Sequence, residues 1–306
     1  MKSLKTFLQK INGATMLDFI VNPKAGTIKG KKIKKVMSKL EERLHEKNVP
    51  YTIHKTNHKG HAKTLTEQLI SAGATDIIAI GGDGTLHEII NGFHNFENCN
   101  LGLIPCGTGN DFAGILGLPK DPVEALDVIL NNTPKYVDYL QLPSVRGINF
   151  VGTGLDAAVI ERYEKLKRKT KFGYLLCLIK TVFSYNGVEF DIEVNGETKH
   201  FKSFIADVCN GDRYGGGIKI CPVAKIDDGK IDFVAVNHLK GLGVILKHLL
   251  ILKKGKILES SYATTIPTEK AKISCKDSSI LNIDGELYEN IPFEVEVVSN
   301  QLKMHR

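Results

Sequence analysis

Residues 78–88, Ile-Ala-Ile-Gly-Gly-Asp-Gly-Thr-Leu-His-Glu, indicate the fold more strongly than any other stretch of the chain. An apolar run at 77–80 ends in glycines, and apolar residues then recur at helical spacing over 86–93. The pattern predicts a buried strand that turns sharply into a helix, whose first N–H groups suit a phosphate. Asp83 would repel a bare phosphate, so it indicates a bridging Mg²⁺ or a substrate hydroxyl. Taken alone, the segment is explained equally well as an ordinary glycine-rich βα turn with Asp83 as the helix cap.

The same design recurs on either side of this segment. Residues 17–26 (Leu-Asp-Phe-Ile-Val-Asn-Pro-Lys-Ala-Gly) and 101–111 (Leu-Gly-Leu-Ile-Pro-Cys-Gly-Thr-Gly-Asn-Asp) each read as an apolar strand followed by glycine and small polar residues, before a helix. Ligands of open α/β sheets bind at the carboxyl ends of the strands, which lie along one edge of a parallel sheet. Three such loops therefore predict a nucleotide-binding site.

Three motifs now carry a family resemblance: Asn22-Pro23-x-x-Gly26, Gly81-Gly82-Asp83-Gly84-Thr85 and Pro105-x-Gly107-Thr108-x-Asn110-Asp111. They resemble the catalytic domain of the diacylglycerol kinase and sphingosine kinase superfamily, above all its bacterial soluble lipid kinases. Further family motifs follow in order at residues 149–157, 210–217, 222–232 and 284–286. Gly109 stands where relatives often carry Ala, which we expect to change flexibility more than chemistry.

The resemblance implies an enzyme that uses ATP and Mg²⁺ as cofactors. Thr56, in the loop before Gly60, matches a family position that contacts the nucleotide, and Lys24 lies beside the first phosphate loop. The implied ATP-binding residues are Asn22, Pro23, Lys24, Ala25, Gly26, Thr56, Gly82, Asp83, Gly84, Thr85, Leu86, His87, Glu88, Thr108, Asn110 and Asp111.

The resemblance also implies catalytic roles for Asp284, Glu286 and Asp83. Either Asp284 or Glu286 could act as the base for the acceptor hydroxyl, because alternate residues of one strand share a side and Gly285 permits close approach. Without the family, Asp284-Gly285 reads as a plain hairpin turn.

Two metal sites are implied in the same way. Asp83 and Asp111 are candidates for carrying the catalytic Mg²⁺, directly or through water. A second, structural Mg²⁺ would be held by Asp228 and by the backbone carbonyls of Lys225 and Lys230. This second ion would shape the C-terminal domain.

The order of elements predicts an α/β protein of two domains. Strands at 17–21, 51–56, 75–80 and 100–104 alternate with helices, which is typical of a doubly wound nucleotide-binding domain. Short alternating strands after residue 137 predict an antiparallel β-sandwich for the lipid substrate. We expect domains at 1–136 and 137–306, with the last few residues returning to the first domain. The resemblance implies an active site in the cleft between them.

Two other motifs are set aside. Residues 26–32 are similar to a P-loop, but their glycines are one residue too close and Lys32 stands where Ser or Thr should meet Mg²⁺. His54, His58 and His61 have helix-like spacing, yet they divide between a predicted strand and a predicted helix. We therefore expect them to have a structural or solvent-facing role.

Composition favours a cytoplasmic protein. Six cysteines at irregular spacing, without CxxC pairs, indicate reduced thiols. The longest apolar stretch, 242–252, would span about 16 Å as a helix, too short for a bilayer core of about 30 Å. We expect a soluble protein that works peripherally at the inner face of the cell membrane.

The net charge of +7 gathers partly in three segments that mix basic and apolar residues, at 2–11, 162–183 and 239–256. Each segment reads either as an amphipathic core helix or as a surface for anionic lipid. The resemblance favours the membrane for 162–183, because a lipid kinase takes its substrate from a bilayer. No nucleic-acid-binding motif is present. Domains of the second type can pair edge to edge, which would allow a homodimer.

These observations predict an ATP- and Mg²⁺-dependent lipid kinase that phosphorylates the hydroxyl of diacylglycerol to give phosphatidic acid. Other acceptors stay open: a sphingoid base, ceramide, a monoacylglycerol or a polyprenol. A nucleotide-binding regulatory protein with little turnover is the alternative from a different class.

Overall fold

The computed structural model describes residues 16–26, 31–166, 171–237, 242–275 and 280–306. They form two compact units: an N-terminal unit of residues up to 137 together with 299–306, and a C-terminal unit of residues 138–298. The chain crosses this division twice, within the strands Lys135–Gln141 and Phe293–Met304. The basic segment 2–11, the residues 27–30 of the P-loop-like stretch, and the basic residues Lys167, Arg168, Lys169 and Lys240 lie outside the described part of the chain.

The N-terminal unit is a doubly wound α/β sheet. Its parallel strands run in the order β2-β1-β3-β4, and the end of the chain's last strand lies parallel to β4 where Met304 pairs with Leu101. The elements are β1 (Leu17–Val21), α1 (Lys31–Glu46), β2 (Tyr51–Lys55), α2 (His61–Ser71), β3 (Asp76–Gly81), α3 (Asp83–Ile90), β4 (Asn100–Pro105), α4 (Asp111–Ile115), α5 (Pro122–Asn131) and β5 (Lys135–Gln141).

Burial on both faces of this sheet explains its apolar strands. Helices α1 and α5 pack on the face that presents Phe19, Ile78 and Ile104. The opposite face, which includes Ile20 and Ile77, is also fully buried, as expected of a parallel sheet with helices on both sides. These helices hold the three loops at the carboxyl ends of β1, β3 and β4 on a rigid support.

The returning segment 299–306 is fixed at the amino end of the sheet. The backbone N–H of His305 donates to the Leu101 carbonyl at 3.0 Å, and its Nε2 lies 3.0 Å from Asp76 Oδ1. Asn100 Nδ2 donates to the same carboxylate oxygen at 3.0 Å. Since both His305 and Asp76 are buried, this pair is part of the interior of the N-terminal unit.

The described residues of the C-terminal unit form an antiparallel β-sandwich with three α-helices. Its long strand β9 pairs with β8 through residues 197–203 and with β7 and β10 through its second half. The elements are β6 (Arg146–Gly147), β7 (Phe150–Gly154), α6 (Leu155–Glu164), α7 (Lys171–Ser184), β8 (Val188–Val194), β9 (Glu197–Cys209), β10 (Ile231–Asn237), α8 (Leu242–Lys253), β11 (Ala263–Thr268), β12 (Lys270–Cys275), β13 (Ile280–Ile283), β14 (Glu286–Glu289) and β15 (Phe293–Met304).

Alternation along these strands builds the sandwich core. In β8, every second side chain from Val188 to Val194 is buried, and these residues join Phe233 on β10 and Val295 on β15 in one apolar cluster. Helices α7 and α8 pack against a second cluster of the same unit, which includes Val182 and Ile257. Within the described part of the chain, no helix is long and apolar enough to span a membrane.

Candidate nucleotide and catalytic sites

Asn22 connects two of the predicted phosphate loops. It follows β1, and its backbone N–H donates to the Ile80 carbonyl of β3 at 3.0 Å. Its side-chain Nδ2 donates to Thr85 Oγ1 at 3.1 Å, while its Oδ1 accepts the Lys24 N–H at 3.0 Å. The strand order reverses between β1 and β3, and the crevice at such a point is where open α/β sheets bind ligands.

Glycines let the three loops meet backbone to backbone. A Cβ at Gly26, where φ is +50°, would lie 2.4 Å from the Gly107 carbonyl carbon. A Cβ at Gly107 would lie 2.5 Å from Gly82 Cα. Asn110 closes the third loop, because its Oδ1 accepts the Gly107 N–H at 2.8 Å and its Nδ2 donates to the Gly107 carbonyl at 3.1 Å. No side chain fits at these three glycines without moving a loop.

Two carboxylates approach one point beside this glycine contact. The Asp83 carboxylate accepts the N–H groups of Asp111 at 3.2 Å and Phe112 at 3.1 Å, which joins the start of α3 to the start of α4. A Cβ at Gly109 would lie 3.2 Å from Asp111 Oδ2 and 3.3 Å from Asp83 Oδ2. Paired carboxylate oxygens suit Mg²⁺, so Asp83 and Asp111 fit the implied metal. An alanine at position 109 would therefore place its methyl group against both carboxylates.

Glu88 has a role in the structure that its sequence context did not reveal. Its Oε1 accepts the Gly60 N–H at 2.8 Å and its Oε2 accepts the Ala62 N–H at 3.0 Å. A carboxylate at this position satisfies donors at the start of α2 and complements the helix dipole. Through Glu88, helix α3 fixes the β2–α2 loop that follows Thr56.

The other predicted nucleotide residues differ in accessibility. Thr56 is buried, and its N–H donates to the Val21 carbonyl at 2.9 Å. The side chains of Leu86 and His87 are buried within the N-terminal unit. Lys24 and Thr108 are exposed, Pro23 and Gly84 are partly exposed, and Ala25 and Thr85 are buried.

Asp284 occupies a two-residue hairpin turn between β13 and β14. Asp284 and Gly285 have φ values of +53° and +94°, the positive values that such tight turns require. We had expected Asp284 and Glu286 to be alternate residues of one strand. This expectation is wrong, because Asp284 lies in the turn and Glu286 begins β14. The positive φ values end β13 before Asp284 and turn the chain back.

The Asp284 carboxylate also makes a long-range contact. Its Oδ2 accepts the Ile148 N–H at 2.8 Å, and its Oδ1 accepts the N–H groups of Asn149 at 2.8 Å and Phe150 at 3.1 Å. Only 7% of Asp284 is exposed. The turn predicted from the sequence is present, and its acidic residue also anchors a segment far away in sequence.

The implied structural metal site is a loop organised by Asp138. Asp138 Oδ2 accepts the Gly229 N–H at 2.8 Å, and Asp228 Oδ1 accepts the Lys230 N–H at 3.1 Å. Burial, and then the charge of Asp228, raise the pKa of Asp232. Across the described ranges, no three His, Cys, Asp or Glu side chains are grouped to hold a metal. One carboxylate with backbone carbonyls remains a suitable oxygen donor set for Mg²⁺.

The three histidines that we set aside lie along the β2–α2 segment. His54 Nε2 is 2.7 Å from Thr52 Oγ1, which in turn donates to Asp18. The rings of His58 and His61 lie 4.8 Å apart, centroid to centroid. His61 Nδ1 accepts the Asn57 N–H at 3.2 Å.

Comparison with known protein families accounts for both units. Residues 16–142 match the family model of the diacylglycerol kinase catalytic domain. Residues 149–306 match the YegS C-terminal NAD kinase beta sandwich-like domain. An NAD kinase from Archaeoglobus fulgidus, solved in complex with ATP, has the same fold with a TM-score of 0.52 at 12% identity, over 95% of this chain and 94% of that one.

Individual relatives lead to the same family. The "Probable lipid kinase YegS-like" of Chromohalobacter salexigens is 31% identical over 232 residues, 74% of each chain. The diacylglycerol kinase of Bacillus subtilis is 28% identical over 280 residues, 90% of this chain and 91% of that one. A diacylglycerol kinase structure from Bacillus anthracis aligns with a TM-score of 0.77 at 26% identity, over 95% of this chain and 96% of that one. The chain therefore belongs to the family of YegS-like and diacylglycerol kinase-like lipid kinases.

Proposed function

We propose that the protein transfers the γ-phosphate of ATP to the free hydroxyl of diacylglycerol, giving phosphatidic acid. The observation that carries this proposal is the convergence of three glycine loops beside Asp83 and Asp111. Backbone N–H groups and two close carboxylates are what a Mg²⁺-bound triphosphate needs. Membership of the lipid kinase family and the ATP complex of the related NAD kinase fold support ATP as the donor.

Each group has a defined task in this reaction. The loops at 22–26 and 82–85 would bind and orient the phosphates, with Leu86, His87 and Glu88 supporting the second loop from inside the unit. Asp83 and Asp111 would hold Mg²⁺, which would neutralise charge on the transferring group. Asp284 or Glu286 accepts the proton of the acceptor hydroxyl. The hydroxyl oxygen then forms a bond to phosphorus while the bond to ADP breaks. Asp228, with the Lys225 and Lys230 carbonyls, would hold the second, structural Mg²⁺.

The test is transfer of label from γ-labelled ATP in mixed micelles with Mg²⁺. Diacylglycerol, ceramide, sphingosine, monoacylglycerol and undecaprenol are offered separately. We expect labelled phosphatidic acid, and we expect Asp83→Asn to abolish it. If the label appears on another lipid instead, that lipid takes the place of diacylglycerol as the acceptor. ATP binding with no label on any lipid would favour the regulatory alternative.

Helix α7 offers a surface for the membrane that holds such a substrate. Leu176, Ile179 and Phe183 form one stripe at helical spacing and are exposed by 40%, 40% and 50%. Lys180 is exposed next to the stripe, and the opposite side of the helix is buried at Cys177 and Thr181. Exposed apolar side chains beside basic ones fit an anionic bilayer surface.

Sedimentation with vesicles of anionic phospholipid tests this surface. Burying each half-exposed side chain is worth about 1 kcal/mol, so Leu176→Ser, Ile179→Ser and Phe183→Ser together should weaken binding about 100-fold. Tyr136→Ser is the matched control, because Tyr136 is 43% exposed on the N-terminal unit. Equal binding by the triple variant and the wild type would reject this role for α7.

A further inference from the structure

Segment 148–150 of the C-terminal unit is held by two residues from other parts of the sequence. Asp284 accepts its three N–H groups, and the Asp284 N–H donates to the Phe150 carbonyl at 3.1 Å. The Ile148 carbonyl accepts from Asn210 Nδ2 at 2.7 Å. The Asn149 carbonyl accepts the backbone N–H groups of Asn210 at 2.8 Å and Gly211 at 2.9 Å. Asp284 and Asn210 therefore share this segment as their common partner.

Asn210 follows β9 and has no exposed surface. Its Nδ2 uses both hydrogens, because it also donates to the Asp138 carbonyl at 2.8 Å. Its Oδ1 is buried and accepts no hydrogen bond from the residues that the structure describes. An unsatisfied buried oxygen is costly, so the favourable contribution of this side chain comes from its two donated bonds. One bond ends on the Ile148 carbonyl, in the segment whose N–H groups Asp284 accepts, and the other on the Asp138 carbonyl.

We propose that Asn210 is a positioning residue for the Asp284-Gly285-Glu286 turn. By fixing the carbonyl side of segment 148–150, it fixes the three N–H groups that orient the Asp284 carboxylate. This inference rests on the proposed function, in which the turn supplies the base. It also gives a role to the 210–217 motif, which the ATP and metal sites leave unexplained.

The test compares Asn210→Asp, which keeps the shape but removes the amide donors, with the milder Asn210→Ser. Both variants keep the backbone N–H groups at 210 and 211. Val194→Ala is the control, because it truncates the same sandwich core on β8, away from segment 148–150. Hydrogen exchange is measured at the amides of 148–150, together with ATP binding stoichiometry, and kcat and KM with diacylglycerol.

We expect exchange at 148–150 to accelerate about tenfold or more in Asn210→Asp, as for the loss of one net hydrogen bond. We also expect kcat per bound nucleotide to fall about 100-fold, the size of effect that a misplacement of about 1 Å produces. The KM for ATP should stay within about twofold, because the ATP contacts lie in the other unit. Val194→Ala should lose stability and keep kcat.

Three results decide the matter. Unchanged exchange at 148–150 would show that Asn210 does not hold the partner of Asp284. Faster exchange with wild-type kcat would show that the contact has no bearing on the reaction. A wild-type protein that phosphorylates no lipid would reject the proposed function, while the exchange measurement would still show whether Asn210 orients Asp284. If Asn210→Asp does not fold, Asn210→Ser is used with the same criteria.

Discussion

Replacing Asp284 by Ala should reduce stability as well as activity. The substitution removes the acceptor of three N–H groups, at 2.8, 2.8 and 3.1 Å, in a site that is 7% exposed. Each buried N–H group left without an acceptor costs about 1–3 kcal/mol, so the three together should lower the free energy of unfolding by at least about 3 kcal/mol. A positive φ at Ala adds about 1 kcal/mol more. Against a total of about 5–15 kcal/mol, this is a large fraction of the free energy of unfolding.

Asp284→Asn separates stability from chemistry. The amide keeps one oxygen for the Asn149 and Phe150 donors, and only its NH₂ group faces the Ile148 N–H. We therefore expect a loss of about 1–3 kcal/mol, with the fold retained at 25 °C. Asparagine also tolerates the positive φ of the turn. If kcat falls by more than the fraction of unfolded protein explains, the remainder measures the contribution of Asp284 to the reaction itself.

The assay is urea unfolding followed by circular dichroism, with kinase rates measured on the same samples. Glu286→Gln is the control for the unfolding measurement alone, because Glu286 is only partly buried and a change there should alter stability by less than about 1 kcal/mol. If Asp284→Ala unfolds within about 1 kcal/mol of the wild type, the three hydrogen bonds do not hold segment 148–150 and our reasoning fails.

Three further predictions concern the N-terminal unit. Gly107→Ala puts a Cβ 2.5 Å from Gly82 Cα, so ATP binding measured by calorimetry should weaken at least about tenfold. Gly243→Ala, whose Cβ meets no atom of the described residues within 4 Å, should leave ATP binding unchanged. Glu88→Gln turns one acceptor at the start of α2 into a donor and should lower the free energy of unfolding by about 1–3 kcal/mol; an unchanged urea midpoint would contradict this. Burial raises the pKa of Cys106 from 9.0 to about 11, so the folded state keeps a proton that the unfolded state loses. This contribution is fully present below pH 9 and is lost as the pH rises to about 11, by up to about 3 kcal/mol, and Cys106→Ala should flatten that part of a urea-unfolding pH series.

The sequence predicts most accurately where the burial pattern is simple. Strands expected at 17–21, 51–56, 75–80 and 100–104 are found at Leu17–Val21, Tyr51–Lys55, Asp76–Gly81 and Asn100–Pro105. Each is a short apolar run bounded by glycines and helices, so the apolar run in the sequence has nearly the same limits as the strand in the structure.

Strands of the C-terminal unit extend further than predicted. Alternation of apolar residues in the sequence marks strands at 201–209 and 293–298, but the strands cover Glu197–Cys209 and Phe293–Met304. Residues 197–200 and 299–301 are polar and mostly exposed, so alternation of apolar residues does not mark them. Residues 197–200 pair with β8 across the hairpin at 195–196, whereas the end of β15 pairs with the distant strand β4.

The candidate sites show the same limit. The glycine loops are visible in the sequence because each directly follows a short apolar strand and repeats the same pattern of glycine and small polar residues. Glu88 caps α2 through Ala62, 26 positions away, and Asp284 accepts the Ile148 N–H from 136 positions away. Asn210 carries no signal beyond its motif. Contacts of this kind depend on the tertiary fold, and a single sequence does not record them.

The His305–Asp76 contact also has a consequence for biosynthesis. The strand end that pairs with Leu101 is translated after the whole of 138–298, so the start of β4 leaves the ribosome with this edge open and keeps it open while the sandwich is made. An uncovered strand edge is a template for pairing with other chains. The nascent nucleotide-binding unit is therefore most exposed to aggregation during the time in which the second unit is synthesised.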